Sequence, residues 1–317
     1  MSTFTLNQPF SVLAPAKLNI RLKITGRRPD GYHELVSIMV PVDLFDHITL
    51  TFTEQPGINI SCRGFSAPAN ADNLVCRAAQ SFFSQTDRQK GLSIDLTKRI
   101  PVAAGLGGGS SDAAAILMTL NQTLCASQPL PSKRMAELAL ELGADIPFFL
   151  KRSPCIARGI GEILEPIRNW PSYYYVIVMP DISVSTAKVY EALDSPPFSP
   201  RKEDNRENRE NRELVLTNDE YHVIVRNLLK MPTEVCRLLE NDLERVTVSR
   251  FPVIREIKQS LLDVGAIGAL MSGSGPSVFG VFESEAGAYC AKAVLDAASS
   301  LPVFVVKGID SWGVVKW

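Results

Sequence analysis

Histidine is the scarcest reactive side chain here: three in 317 residues, His33, His47 and His222, in unrelated contexts. That scatter argues against a histidine metal cluster and against a serine–histidine–aspartate triad. No Gly-x-Ser-x-Gly elbow accompanies the serines either. Cysteine is sparse too. Cys62, Cys76, Cys125, Cys155, Cys236 and Cys290 stand far apart without a Cys-x-x-Cys pair, so reduced, mostly buried thiols are expected rather than a disulfide framework or a zinc site. No apolar run reaches the ~18 residues of a membrane span. The stretch Met1 to Phe10 lacks the basic-then-apolar order of a signal peptide. Excess charge is also missing, with 33 Lys plus Arg against 34 Asp plus Glu. There is no whole-molecule field to gather nucleic acid or an anionic membrane, although a local basic pocket remains open. What is left is a cytoplasmic globular protein, 45% hydrophobic and 21% charged, long enough for two modest domains.

Local pattern supplies the elements. Ala14 to Ile24 alternates, with Leu18, Ile20, Leu22 and Ile24 on one side and Lys17, Asn19, Arg21 and Lys23 on the other, the mark of a half-buried strand. Arg28-Pro29-Asp30-Gly31 is turn chemistry. Strands are expected at about Ile38–Pro41, His47–Thr53 and Leu92–Lys98, then a helix over Ala113 to Leu120 that Ser110, Ser111 or Asp112 can cap. A second helix spans about Ser132–Leu142, closed by Gly143. The pattern loosens between Pro166 and Tyr173, which places a domain boundary near residue 170 and gives domains 1–170 and 171–317. The second half alternates strands with helices, including Ser185–Leu193, Pro252–Val264, Val278–Phe282 and Val303–Lys307. That is an α+β architecture with helices on one face of a mixed sheet. Within it, about 196–213 repeats Asn-Arg-Glu three times with balanced charge and no apolar anchor, as a solvated surface insert would.

The chemistry concentrates in two glycine-rich segments. Pro101-Val102-Ala103-Ala104-Gly105-Leu106-Gly107-Gly108-Gly109-Ser110-Ser111 ends on a helix. Glycines there clear the approach of phosphate to backbone N–H groups, and the helix N-terminus favours an anion. A flexible turn would want glycine as well, but the abrupt helix start and Pro101 favour phosphate binding. The loop lacks the Gly-Lys-Ser/Thr ending of a P-loop. Ser110 occupies the third glycine position of a dinucleotide fingerprint, which it therefore fails. Met271-Ser272-Gly273-Ser274-Gly275 reads as a helix-to-strand turn forming the opposite wall of the same anion site.

Together with Pro15-Ala16-Lys17-Leu18-Asn19, these segments resemble the three motifs of the galactokinase, homoserine kinase, mevalonate kinase and phosphomevalonate kinase (GHMP) superfamily, in its order and over nearly the whole chain. Gly26-Arg27-Arg28-Pro29-Asp30-Gly31-Tyr32-His33-Glu34-Leu35 and Gly143-Ala144-Asp145-Ile146-Pro147-Phe148-Phe149 resemble the branch that phosphorylates 4-diphosphocytidyl-2-C-methyl-D-erythritol. The resemblance implies an N-terminal domain like domain 2 of ribosomal protein S5 and a ferredoxin-like C-terminal domain. It implies ATP as co-substrate, with Mg2+ accompanying it through ligands the sequence does not identify. Asp145 would take the hydroxyl proton beside Lys17, and the loop Pro101–Ser111 would hold the ATP phosphates. Tyr32 and His33 would recognise cytosine opposite Thr186 and Tyr190, with Asn19, Gly273 and Ser274 also meeting the substrate. The enzyme would act as a monomer or weak homodimer, without nucleic acid or membrane. Two other readings stay open: a kinase of another small alcohol in the superfamily, and a non-catalytic nucleotide- or RNA-binding protein built on the S5-like domain.

Overall fold

The structure, a computed structural model, describes residues 7–86, 91–125, 127–195, 223, 227 and 231–312. The Asn-Arg-Glu repeat and His222 lie outside these residues. The first sheet contains β1 (Phe10–Arg27), β2 (His33–Thr53), β3 (Ile58–Gly64) and β4 (Gly91–Lys98) in the order β3-β4-β2-β1. β5 (Cys155–Gly159) and β6 (Ile163–Pro166) extend it through β2. On this sheet lie α1 (Leu74–Ser84), α2 (Gly108–Leu124), α3 (Ser132–Leu142) and the short α4 (Ile146–Lys151). One core fills the space between, from Leu50, Phe52 and Ile94 on the strands to Phe82, Ile116, Leu117 and Phe148 on the helices.

A second, antiparallel sheet has the order β11-β7-β10-β9, formed by β7 (Tyr174–Val178), β9 (Gly268–Met271), β10 (Val278–Phe282) and β11 (Val303–Lys307). α5 (Thr186–Leu193), α6 (Asp242–Arg250) and α7 (Val253–Asp263) lie between β7 and β9, and α8 (Glu285–Ala298) lies between β10 and β11. This strand order and succession is the split βαβ arrangement of ferredoxin-like domains, so the α+β expectation holds. The halves interlock. The two-residue strand β8 (Glu240–Asn241), from the second half, pairs in parallel with β1 at Arg21 and Leu22. The Ile309 amide donates to the Pro41 carbonyl at 2.9 Å, and Trp312 packs on Phe149 with ring centroids 6.4 Å apart.

Four local expectations change. The separate strands foreseen at Ile38–Pro41 and His47–Thr53 are parts of one 21-residue strand, because none of the three register shifts in its pairing with β1 breaks the backbone path. β1 is buried on both faces over its central part, Lys17 and Asn19 included, because the glycine segments cover its polar side. α7 does not run directly into the second glycine segment. β9 intervenes, which makes that segment the loop of a β9–β10 hairpin. Of the cysteines, Cys76, Cys125 and Cys155 are buried, but Cys236 and Cys290 are exposed.

Candidate active site

α2 starts at Gly108 with Gly107 as its N-terminal cap, at φ 71°, and no side chain caps it. The expected cap from Ser110, Ser111 or Asp112 is therefore absent. Asp112 turns inward instead, accepting a hydrogen bond from the Lys98 ammonium at 2.7 Å. Lys98 also pairs with the fully buried Asp46, whose other oxygen accepts the amides of Arg99 and Ile100. Two buried carboxylates thus share one ammonium. Burial, opposed by Lys98 and reinforced by Asp46, pushes Asp112 up to about 8. Burial would lower Lys98, but the two carboxylates outweigh it and hold it above its ordinary value.

Beside this start, the Lys17 amide donates to the Leu106 carbonyl at 2.9 Å. A Cβ on Gly107 would stand 3.0 Å from Lys17 Cγ and from the Phe149 ring, so this glycine lets the loop close over the lysine. The Lys17 ammonium reaches Asn19 Oδ1 at 2.5 Å, and Asn19 Nδ2 donates to Ser37 at 2.8 Å. Across the cleft, Lys17 meets Asp145 at 3.4 Å, with side-chain exposures of 4% and 41%. Asp145 sits at the N-cap of α4 yet makes no capping hydrogen bond. A partly exposed pair of this kind contributes only ~0–1 kcal/mol to folding, which is a weak reason for burying a lysine.

The second glycine segment abuts the first. Ser272 Oγ donates to the Gly105 carbonyl at 3.0 Å and the Ser277 amide to the Ala104 carbonyl at 3.2 Å. The two form one continuous wall rather than opposite ones. Thr186 and Ser274 join hydroxyls at 2.7 Å, and Thr186 and Tyr190, one turn apart on α5, both face the cleft. The His33 and Tyr190 rings are 5.0 Å apart, whereas Tyr32 is 59% exposed at the rim. Burial, then the charge of Asp145, raises the Tyr190 phenol above its ordinary range.

These elements meet at one cleft of about 1020 Å³. It gathers Lys17, Asn19, Tyr32, His33, Asp145, Thr186, Tyr190, Gly273 and Ser274, and most of Pro101–Ser110. Leu106 and Ser111 do not line it. Both are buried, Leu106 in the core and Ser111 with no hydrogen-bond partner for its hydroxyl. The cleft extends beyond the glycine loop to Pro68, Asn73, Leu74, Leu96 and Lys98. Sequence reasoning missed this end, where the only local signal is Asn73 just before an apolar helical run, which it caps by accepting the Val75 amide at 3.0 Å.

A glycine-lined helix start beside a buried lysine and a carboxylate that caps nothing defines a phosphotransferase of the GHMP type. The chain matches the models for the GHMP kinases N terminal domain over residues 73–152 and the GHMP kinases C terminal domain over residues 226–299. It is 44% identical over 287 residues to the 4-diphosphocytidyl-2-C-methyl-D-erythritol kinase of Citrifermentans bemidjiense, covering 90% of this chain and 94% of that protein. With the kinase of the same name from Syntrophotalea carbinolica, identity is 44% over 300 residues, covering 95% and 99%. A crystal structure of 4-(cytidine 5'-diphospho)-2C-methyl-D-erythritol kinase superposes with a TM-score of 0.74 at 32% identity, covering 94% and 99%. A homoserine kinase from Cytophaga hutchinsonii shares the fold at 19% identity and a TM-score of 0.68. The chain belongs to the 4-diphosphocytidyl-2-C-methyl-D-erythritol kinase family of the GHMP kinases.

Proposed function

We infer that this chain transfers the γ-phosphoryl group of ATP to the 2-hydroxyl of 4-diphosphocytidyl-2-C-methyl-D-erythritol, in the non-mevalonate route to isoprenoid precursors. The observation that carries the reading is the Lys17–Asp145 pair, 3.4 Å apart on the cleft wall between the glycine loop and α5. Phosphoryl transfer has a loose transition state, so positioning and charge neutralisation dominate it. Asp145, free of capping duty, accepts the hydroxyl proton. Lys17, aimed by Asn19 and Ser37, neutralises charge on the attacking oxygen or on the phosphoryl group. Asn19 therefore acts through Lys17, since both ends of its carboxamide are engaged.

The uncapped N-terminus of α2 and the loop N–H groups receive the ATP phosphates. The pocket end at Pro68, Asn73, Leu74 and Leu96 receives the adenosine. Tyr32, His33, Thr186 and Tyr190 receive the cytidine end of the acceptor. Mg2+ accompanying ATP keeps waters and binds through phosphate oxygens, so it needs few protein ligands. Among the described residues no three carboxylate, histidine or cysteine side chains converge to cage it. The reading takes the enzyme to act as a monomer or weak homodimer. Action in the cytoplasm is part of the same reading; no helix among the described residues is long and apolar enough to cross a membrane.

The test offers ATP with the cytidine adduct, with mevalonate and with homoserine, and follows ADP. ADP is expected only with the cytidine adduct. Equal ADP with mevalonate or homoserine would support the small-alcohol alternative. No ADP with any acceptor would support the non-catalytic one.

A further inference from the structure

One ion pair lies outside the machinery described so far, yet touches it. Asp194 ends α5, one turn beyond Tyr190. Its Oδ1 lies 2.8 Å from His33 Nε2, and its Oδ2 lies 3.2 Å from Arg27 Nη1. Arg27 also donates from Nε to the Gly31 carbonyl at 3.3 Å, within the turn that carries Tyr32. The carboxylate thus joins the helix of Tyr190 to the hairpin of Tyr32 and His33, which are the two walls of one end of the cleft.

The direction of the His33 bond has a chemical consequence. An ionised carboxylate only accepts, so Nε2 carries the proton, and in a neutral imidazole the other nitrogen, Nδ1, is then an acceptor. Nδ1 has no hydrogen-bond partner among the described residues. Cytosine offers an amino donor at the ring position where uracil offers a carbonyl acceptor. An imidazole held with Nδ1 unprotonated can pair with the first and repels the second. Stacking on Tyr190 or Tyr32 makes no such distinction, because every base has an aromatic face.

We propose that Asp194 is a positioning residue for base selection: by holding the proton on His33 Nε2 it makes Nδ1 the acceptor that prefers cytosine to uracil. This rests on the reading of this end of the cleft as the cytosine site. Asp194→Asn is the informative variant. Arg27 is a donor only, so it draws the carboxamide oxygen and turns the –NH₂ group toward His33. Nε2 must then accept, and the proton moves to Nδ1. Asp194→Ala removes the constraint without reversing it.

The test measures kcat and KM for the cytidine adduct and its uridine analogue, and reads the His33 tautomer from imidazole ¹⁵N shifts. In Asp194→Asn, the cytidine-over-uridine ratio in kcat/KM should fall by about tenfold or more, as when a polar recognition contact is mismatched. The proton should appear on Nδ1, and kcat with saturating cytidine adduct should change by less than about threefold, since the reacting oxygen is elsewhere. Asp194→Ala should lie between. An unchanged ratio, an equal rise in KM for both bases with the proton still on Nε2, or a moved proton without a change in ratio would each overturn the proposal. Tyr190→Ala and His33→Ala serve as controls. If neither raises KM for the cytidine adduct, the cytosine-site reading itself fails. If they raise it while Asp194→Asn keeps the ratio, only the role of Asp194 fails.

Discussion

At the scale of single residues, the Lys98–Asp46–Asp112 cluster carries the plainest electrostatic consequence. One ammonium cannot neutralise two buried carboxylates, so Asp112 holds its proton up to about pH 8. The unfolded chain releases that proton near the ordinary value of 3.8. The contribution of Asp112 to stability is therefore fully present below about pH 4 and is lost as pH rises to about 8, with a limiting slope of ~1.4 kcal/mol per pH unit. Asp112→Asn keeps an acceptor for Lys98 and removes the titration. Its unfolding free energy, measured by denaturant titration, should gain on wild type steadily from pH 5 to pH 8 and then level off. A gap between the two proteins that stays constant over that range would contradict the assigned protonation. Nothing in the sequence placed Asp46 here, because its partners are 52 and 66 positions away along the chain. Only the pairing of β2 with β4, and the packing of α2 across them, brings the three together.

At the scale of elements, the glycine loop was legible as the candidate phosphate site, but the surroundings of each glycine were not. All four looked equivalent in sequence, yet they meet different surroundings. A Cβ on Gly105 would lie 2.0 Å from the Ser272 carbonyl oxygen at a φ of +76°, and one on Gly107 would press on Lys17. A Cβ on Gly109 meets nothing within 4 Å, and Gly109 lines the cleft. Valine at Gly107 would thus test packing as much as nucleotide binding, and Gly109 is the cleaner site. Gly109→Val should keep its melting temperature, since valine is no worse than glycine inside a helix. It should weaken ATP binding by about tenfold or more, ~1.4 kcal/mol. Gly105→Ala should instead lower stability by ~1–3 kcal/mol through backbone strain and overpacking. ATP affinity and thermal melting of both variants decide the matter, and an unchanged affinity in Gly109→Val would refute the loop's role. Helix and strand positions were readable where one face is apolar, as in α3, whose expected span matches Ser132–Leu142. The readings failed where tertiary contacts set the outcome, as on β1, whose polar face looked solvated until the glycine segments covered it.

At the scale of the molecule, the cleft depends on both halves. β1, the glycine loop and Asp145 come from the first, and α5 with Gly273 and Ser274 from the second. β8 and the Ile309–Pro41 hydrogen bond hold the halves in register. On the proposed reading, such an arrangement would grip two substrates from different walls and bring their reacting atoms to Lys17 and Asp145. Removing the carboxylate should therefore damage the chemical step and leave both grips in place. The direct measurement is single-turnover phosphoryl transfer by Asp145→Asn, alongside equilibrium binding of ATP and of the cytidine adduct. The rate should fall by roughly 10²–10⁴-fold, the usual worth of a positioned base, with each dissociation constant within about threefold of wild type. Lys17→Ala combined with Asp145→Asn should be little slower than the slower single variant, because groups acting as a unit are not additive. An Asp145→Asn protein that transfers phosphate at the wild-type rate would contradict the account.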